Sequence, residues 1–219
     1  GIYLDVARHA EDAKEREQAQ QWCSLITPVL KAAWTQQAFE GASACLQVFG
    51  GHGYIREWGI EQIVRDSRVA MIYEGTNEIQ AIDLLVRKVL PDGGQAMGQW
   101  LLSLRKSLDA GRALDAEVLR CLAQLRYFTT VLAQACKEDD TLAWRAADDY
   151  LRCVAVVLMG WAWAQIGAAQ GTDQPRWQGP LKQVIQRILP EMDWRMNLMK
   201  AQWTQASVVH GNQLFTPSH

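Results

Sequence analysis

Apolar residues recur along nearly the whole chain at steps of three and four, the spacing that lines one face of a helix. Alternation at period two is absent over any useful length, so no strand is predicted and the expected class is all-α, a helical bundle. Residues 3–22 are rich in Ala, Glu, Gln and Lys, good helix formers, and their polarity predicts one exposed helix. Pro28 suits the first turn of the next helix, with Thr27 as its cap. Leu30, Trp34, Ala38, Ala42, Cys45 and Phe49 then mark the stripe expected to be buried, and Gly50, Gly51 and Gly53 end that helix. A short helix is predicted from Ile60 to Ser67, a tight segment follows around Glu74, and another helix runs from Thr76 to Val89. Pro91-Asp92-Gly93-Gly94 stops it and is the expected boundary between a first domain, 1–90, and a second, 91–219.

Four helical segments are expected beyond that stop. Leu101, Leu104 and Leu108 mark the first; Leu114, Val118, Leu122, Leu125, Phe128 and Leu132 mark the second. Asp139-Asp140-Thr141 reads as a turn and cap before the third, where Leu151, Val154, Leu158 and Trp161 form the core stripe. That helix is apolar almost all round near 154–164, which predicts a central place; the run from Val154 to Ala164 is too short to span a bilayer. Gly171 to Pro175 reads as a loop, and the fourth helix is expected over 178–208 with Pro190 as a break or kink.

Composition narrows the function classes. The 219 residues can bury a sizeable core, as one domain or two small ones, and the hydrophobic fraction of 49% is normal for a globular protein. Net charge is −2, and neither half of the chain is basic, so no nucleic-acid partner is expected. The basic residues Arg176, Lys182, Arg187, Arg195 and Lys200 read as a solvated face. Ten tryptophans point to bulky packing between helices. Five cysteines, an odd number without CxxC spacing, read as reduced and mostly buried thiols of an intracellular, cytoplasmic protein. No charged stretch followed by an apolar core opens the chain, and no membrane association is expected. The first residue is Gly1 rather than Met, which reads as part of a longer protein.

The candidate chemistry centres on Glu74, set between Tyr73 and Gly75 near a helix start. The α-proton of a thioester is weakly acidic, and removing it needs a positioned base shielded from water. A carboxylate beside an aromatic ring suits that task, and Gly75 allows close approach of the backbone to a ligand. Gly50-Gly51-His52-Gly53 follows a helix, the reverse of the order in a phosphate-binding loop; it reads either as a helix C-cap or as a cluster of backbone N–H groups open to a phosphate. Arg65 and Asp66 read as ion-pair formers. His52 has no second His or Cys at ligand spacing, so no metal is expected.

Ile72-Tyr73-Glu74-Gly75-Thr76-Asn77-Glu78-Ile79-Gln80, preceded by Gln47-Val48-Phe49-Gly50-Gly51-His52-Gly53-Tyr54, Glu61 and Arg65-Asp66, resembles the C-terminal helical domain of the acyl-CoA dehydrogenases. The resemblance is specific over 45–90, weaker over 1–44 and weakest over 91–219, which looks like the added helical region of the larger bacterial members, those acting on methylmercaptopropionyl-CoA among them. It implies FAD as cofactor, an acyl-CoA substrate, electron-transferring flavoprotein as acceptor and a homo-oligomer. It implies Glu74 as the catalytic base, with Tyr73 and Gly75 beside it at the substrate. Gln47, Val48, Phe49, Gly50 and Gly51 match positions that reach the adenosine diphosphate part of FAD held by a neighbouring subunit, and Thr76, Asn77 and Glu78 match positions contacting the flavin cofactor. The family's upstream domains have no counterpart here, so this piece alone is expected to be inactive. Two rivals remain at this point: a DNA-associated flavoprotein of the same superfamily, whose active segment carries Trp and Ser where this chain has Tyr73 and Thr76, and a structural helical module for oligomerisation.

Overall fold

The computed structural model describes residues 1–170 and 175–212, with side chains over 1–169 and 176–203. Every regular element among the described residues is helical, as the apolar spacing predicts. The chain divides into two compact units, Gly1–Lys88 and Val89–His219.

In the first unit a long helix is the spine. α1 (Ile2–His9) packs on α2 (Ala13–Val48), with Tyr3 and Trp22 meeting edge to face at 5.1 Å. The single helix expected over 3–22 is therefore broken at residues 10–12. Asp12 is the reason: its carboxylate accepts the Lys14 N–H at 3.0 Å, and Arg16 donates to the carbonyls of Ala10 and Glu11 at 2.6 and 2.9 Å. Asp12 followed three residues on by Glu15 is the pattern of a capped helix start.

Pro28 does not open a helix either; it lies inside α2, and Thr27 donates back to the Cys23 carbonyl at 2.7 Å instead of capping. A proline cannot bond the carbonyl four residues earlier, here Ser24. Lys88 fills that gap, donating to the Ser24 carbonyl at 2.9 Å while paired with Asp83 at 2.6 Å. With the orphan carbonyl satisfied, α2 continues for 36 residues.

The buried residues of α2 are Ala19, Leu25, Pro28, Val29, Ala32, Ala33 and Ala42. Of the stripe expected to be buried only Ala42 is so; Leu30 is half-buried and Trp34, Ala38, Cys45 and Phe49 are exposed. Apolar residues sit on more than one face of α2, so periodicity alone does not choose which face turns inward. α3 (Ile60–Val69) and α4 (Asn77–Ile82) both pack on α2, and α4 widens into a π-helical stretch, Asp83–Val89.

The second unit contains α5 (Gln95–Arg105), α6 (Ala113–Ala135), α7 (Thr141–Gln170), α8 (Pro175–Gln183), which runs on as a π-helical turn at Val184–Ile188, and α9 (Pro190–Asn212). The stop at Pro91–Gly94 forms as expected, and Asp92 caps α5 by accepting from the N–H groups of Gly94, Gln95 and Ala96 at 2.9, 3.1 and 2.8 Å. The predicted stripe of α6 from Leu114 to Leu132 is buried throughout. Asp139 starts α7 by accepting from the Thr141 N–H and hydroxyl, and those bonds, with Arg145, hold its carboxyl below the usual range. α7 packs against both α6 and α9, with Val154 to Val157 buried on every side. By length and composition α7 is also apolar enough to cross a membrane, but half of its most apolar window is buried inside this unit. Pro190 opens α9 after the π-helical turn, so the expected break is present. The loop expected at Gly171 to Pro175 falls on 171–174, outside the described residues; Pro175 itself opens α8.

Arg195 is not part of a solvated face. It donates to Asp149 at 2.6 Å and Glu191 at 3.2 Å, while Arg152 grips both oxygens of Glu191 at 2.7 and 2.9 Å. These pairs tie α7 to α9. Burial alone would raise the Glu191 carboxyl; the two guanidiniums outweigh it and hold the group below its ordinary value. The five cysteines are all free thiols; Cys121 and Cys153 are buried, Cys23 and Cys136 half-buried and Cys45 exposed, so fewer are buried than expected. Burial pushes Cys121 and Cys136 up to about 11.

Candidate active segment and glycine turn

Both groups of candidate residues lie in the first unit. The first group is the connection from α3 to α4. Glu74 has φ +57°, the left-handed region, and it is the one residue other than glycine with positive φ among the described residues. A side chain there costs about 1–2 kcal/mol, so something must hold it. Two side chains do. Gln80, on α4, donates to the Glu74 carbonyl at 3.2 Å; Lys31, on α2, donates to the Gly75 carbonyl at 2.6 Å. Each such bond contributes about 1 kcal/mol or more, the charged donor at the upper end, so the pair can offset the strain. The Lys31 ammonium also stands 5.9 Å from the centre of the Tyr73 ring. Gly75 has φ +91°, and an added Cβ would lie 3.0 Å from the Gln80 amide nitrogen, so a larger residue disturbs the bond that holds its neighbour.

The start of α4 is anchored on the middle of α2. Asn77 accepts from the Thr35 hydroxyl and donates to Gln36, both at 3.3 Å. A hydrogen bond from the Thr76 side chain, with smaller help from the Glu78 backbone, holds the Glu78 carboxyl below its usual value. Thus Asn77 and Glu78 spend their side chains within the chain. Glu74 and Tyr73 are exposed, as are Ile72, Glu78 and Ile79 of the same segment.

The second group is the turn after α2. Gly50–Tyr54 forms a short 3₁₀ helix, followed by another at Arg56–Trp58. The indole of Trp58 meets the Phe49 ring at 6.1 Å and the His52 ring at 5.5 Å, both edge to face. Gly53 is buried: a Cβ would sit 2.6 Å from the Leu46 carbonyl, so this glycine lets the turn fold back on α2. Gly50 and Gly51 are exposed with open space beside them, as are Gln47, Val48 and Phe49. The turn thus serves as a helix end and also presents bare backbone.

The two groups do not converge on one point. Thr35 and Gln47 are twelve residues apart on one helix, about 18 Å at 1.5 Å per residue. The Glu74 segment docks at the first and the glycine turn begins at the second. Arg65 and Asp66 form no ion pair with each other: Asp66 accepts from Gln62 one turn earlier, at 2.7 Å, because adjacent residues on a helix point apart. His52 packs on Trp58, and no group of three or more potential ligands for a metal occurs among the described residues. Lys31, Thr35, Gln36 and Gln80 were not singled out by sequence reasoning. Three of them lie about forty residues from their partners, and no local pattern marks them.

Residues 3–89 match the family model described as acyl-CoA dehydrogenase, C-terminal domain. The chain is 33% identical to a 3-methylmercaptopropionyl-CoA dehydrogenase of Ruegeria pomeroyi over 168 residues, covering 74% of this chain and 28% of that protein. It is 30% identical to a broad-specificity linear acyl-CoA dehydrogenase of Mycobacterium tuberculosis, over 63% of this chain and 24% of that one. It therefore spans about a quarter of the length of these curated relatives. Among solved structures, Caenorhabditis elegans ACDH-11 in complex with C11-CoA shares the fold with a TM-score of 0.65 at 20% identity, over 85% of this chain and 32% of the other. Over residues 3–89 this chain carries the C-terminal helical domain of the acyl-CoA dehydrogenase family.

Proposed function

We propose that this chain is the C-terminal part of an FAD-dependent acyl-CoA dehydrogenase in which Glu74 removes the α-proton of an acyl-CoA thioester. The observation that carries the reading is the geometry at Glu74. The family motif falls on the one strained non-glycine residue described, and two side chains from different helices hold it there. Strain retained at a single acid, with its carboxylate left free, fits a group placed for chemistry better than a solvated surface acid.

The residues present suit the cofactor in two places. Gly50 and Gly51 offer exposed backbone with no side chain in the way, after Gln47, Val48 and Phe49, which suits the diphosphate end. At Thr76, Asn77 and Glu78 the side chains are already bonded within the chain, so backbone groups are what remain to meet the flavin. The separation of about 18 Å along α2 fits contacts to different parts of the cofactor, or to cofactors of two subunits in a homo-oligomer. FAD, when bound, would supply the acceptor for the hydride leaving the β-carbon. This chain supplies the base. Glu74 takes the α-proton onto a carboxylate oxygen, and Tyr73 and Gly75 border the thioester. The Tyr73 ring is half exposed here, so the dry pocket that such a base needs is completed by parts of the protein outside this chain. Electron-transferring flavoprotein is the proposed acceptor.

Visible spectroscopy of the intact protein tests the proposal. The purified protein is expected to carry a flavin band that bleaches on anaerobic addition of an acyl-CoA from a panel of linear and sulfur-containing chains. A colourless intact protein, or a flavin that no acyl-CoA reduces, would contradict it.

A further inference from the structure

We propose that Lys31 and Gln80 are positioning residues for Glu74, holding the carbonyls on its two successive peptides so that the carboxylate arm starts from one fixed place. The inference rests on the reading of Glu74 as the base.

Four observations meet at this point. Glu74 and Gly75 both have positive φ, at +57° and +91°, so the segment is bent into a conformation a chain with side chains seldom keeps unaided. The carbonyls of these two residues, successive along the chain, are each bonded by a side chain: Glu74 by Gln80 at 3.2 Å, Gly75 by Lys31 at 2.6 Å. The donors come from different helices, α4 and α2, so the two bonds resist rotation of the loop in different directions. The Lys31 ammonium also stands 5.9 Å from the Tyr73 ring centre and so reaches the residues on both sides of Glu74.

The use made of Lys31 is unusual. No carboxylate pairs with it among the described residues; its charge is spent on a backbone carbonyl and an aromatic face. An ion pair does not explain a half-buried lysine at this place on α2, whereas holding the loop does. Both bonds go to backbone carbonyls and neither goes to the Glu74 carboxylate, which stays free for a proton. Gly75 links the two donors: a Cβ there would press on the Gln80 amide nitrogen at 3.0 Å.

The test is a double-mutant cycle in the intact holoenzyme. Lys31→Met keeps the length and loses the donor; Lys31→Arg keeps a donor; Gln80→Met is the matching change on α4. Each is measured alone and combined with Glu74→Gln, by kcat, KM for acyl-CoA, bound FAD and single-turnover flavin reduction. Lys31→Met is expected to lower kcat tenfold or more with KM within twofold and FAD retained. Lys31→Arg is expected to restore most of the rate. In the Glu74→Gln background Lys31→Met should cost little more, because the group it positions is already gone. The same loss in both backgrounds, an unchanged kcat, or a change confined to KM would overturn the positioning role while leaving Glu74 as base. Normal turnover by Glu74→Gln alone would overturn the base assignment, and the positioning role with it. If Lys31→Met does not fold, Gln80→Met decides by the same criteria.

Discussion

At the residue scale the account turns on a backbone angle. Glu74 looks unremarkable as an exposed acid; its φ of +57° and the two bonded carbonyls set it apart. Gly75 is part of the same device, because it alone leaves room for the Gln80 amide beside it. Gly75→Ala is therefore expected to impair activity of the intact enzyme at least tenfold. It should also lower stability by about 1–2 kcal/mol, since alanine at φ +91° is strained and displaces Gln80. Thermal unfolding together with kcat checks this; an active Gly75→Ala enzyme of unchanged Tm would show that the left-handed bend does not matter. The family motif gave Glu74, Gly75 and Thr76 as residues to watch, and the structure puts the bend at that motif. The residues that hold the bend were illegible, because Lys31 and Glu74 are brought together by packing and not by any spacing along the chain.

At the scale of elements, the helices of the second unit were the most readable. The stripe of α6, the Asp139 start of α7 and the Pro190 break all follow from local rules. α2 was the least readable. Thr27-Pro28 has the look of a helix start, yet α2 runs through it because Lys88 supplies the bond that Pro28 removes. Lys88→Met is expected to destabilise the first unit by about 1 kcal/mol, since the Ser24 carbonyl loses its donor and Asp83 keeps only the longer pair to Arg87. Pro28→Ala, which restores a backbone donor to Ser24, should reduce that loss; urea unfolding of the four members of the cycle reads the coupling, and additive effects would contradict this explanation of the unbroken helix. In the second unit, the Arg152–Glu191–Arg195 cluster makes a pH prediction. The folded-state value of Glu191 is depressed, so its contribution to stability is present above the unfolded value near 4.5 and is lost as pH falls through the folded one. Glu191→Gln is expected to destabilise this unit at pH 7 and to narrow the stability gap between pH 7 and pH 3. An unchanged gap in urea titrations at the two pH values would show that the cluster does not act this way.

At the scale of the whole molecule, the first unit carries what its relatives' family model describes, and much of it is uncovered. Trp34, Val48, Phe49, Tyr54, Ile55, Trp58, Ile63, Ile72 and Tyr73 are all exposed large hydrophobics. That is also why the buried stripe of α2 was misread: its other apolar residues face outward in this chain. Mixed with FAD and desalted, the 219-residue chain is expected to come out colourless and to self-associate with rising concentration; a retained flavin band would show that it is a complete cofactor-binding unit. The central claim is that Glu74 is the base of an acyl-CoA dehydrogenase, and rapid-mixing flavin reduction in the intact protein tests it most directly. Glu74→Gln is expected to keep its fold and its FAD while acyl-CoA-dependent bleaching slows by about a hundred- to ten-thousand-fold, the usual cost of losing a general base. Bleaching within twofold of the wild-type rate would contradict the account.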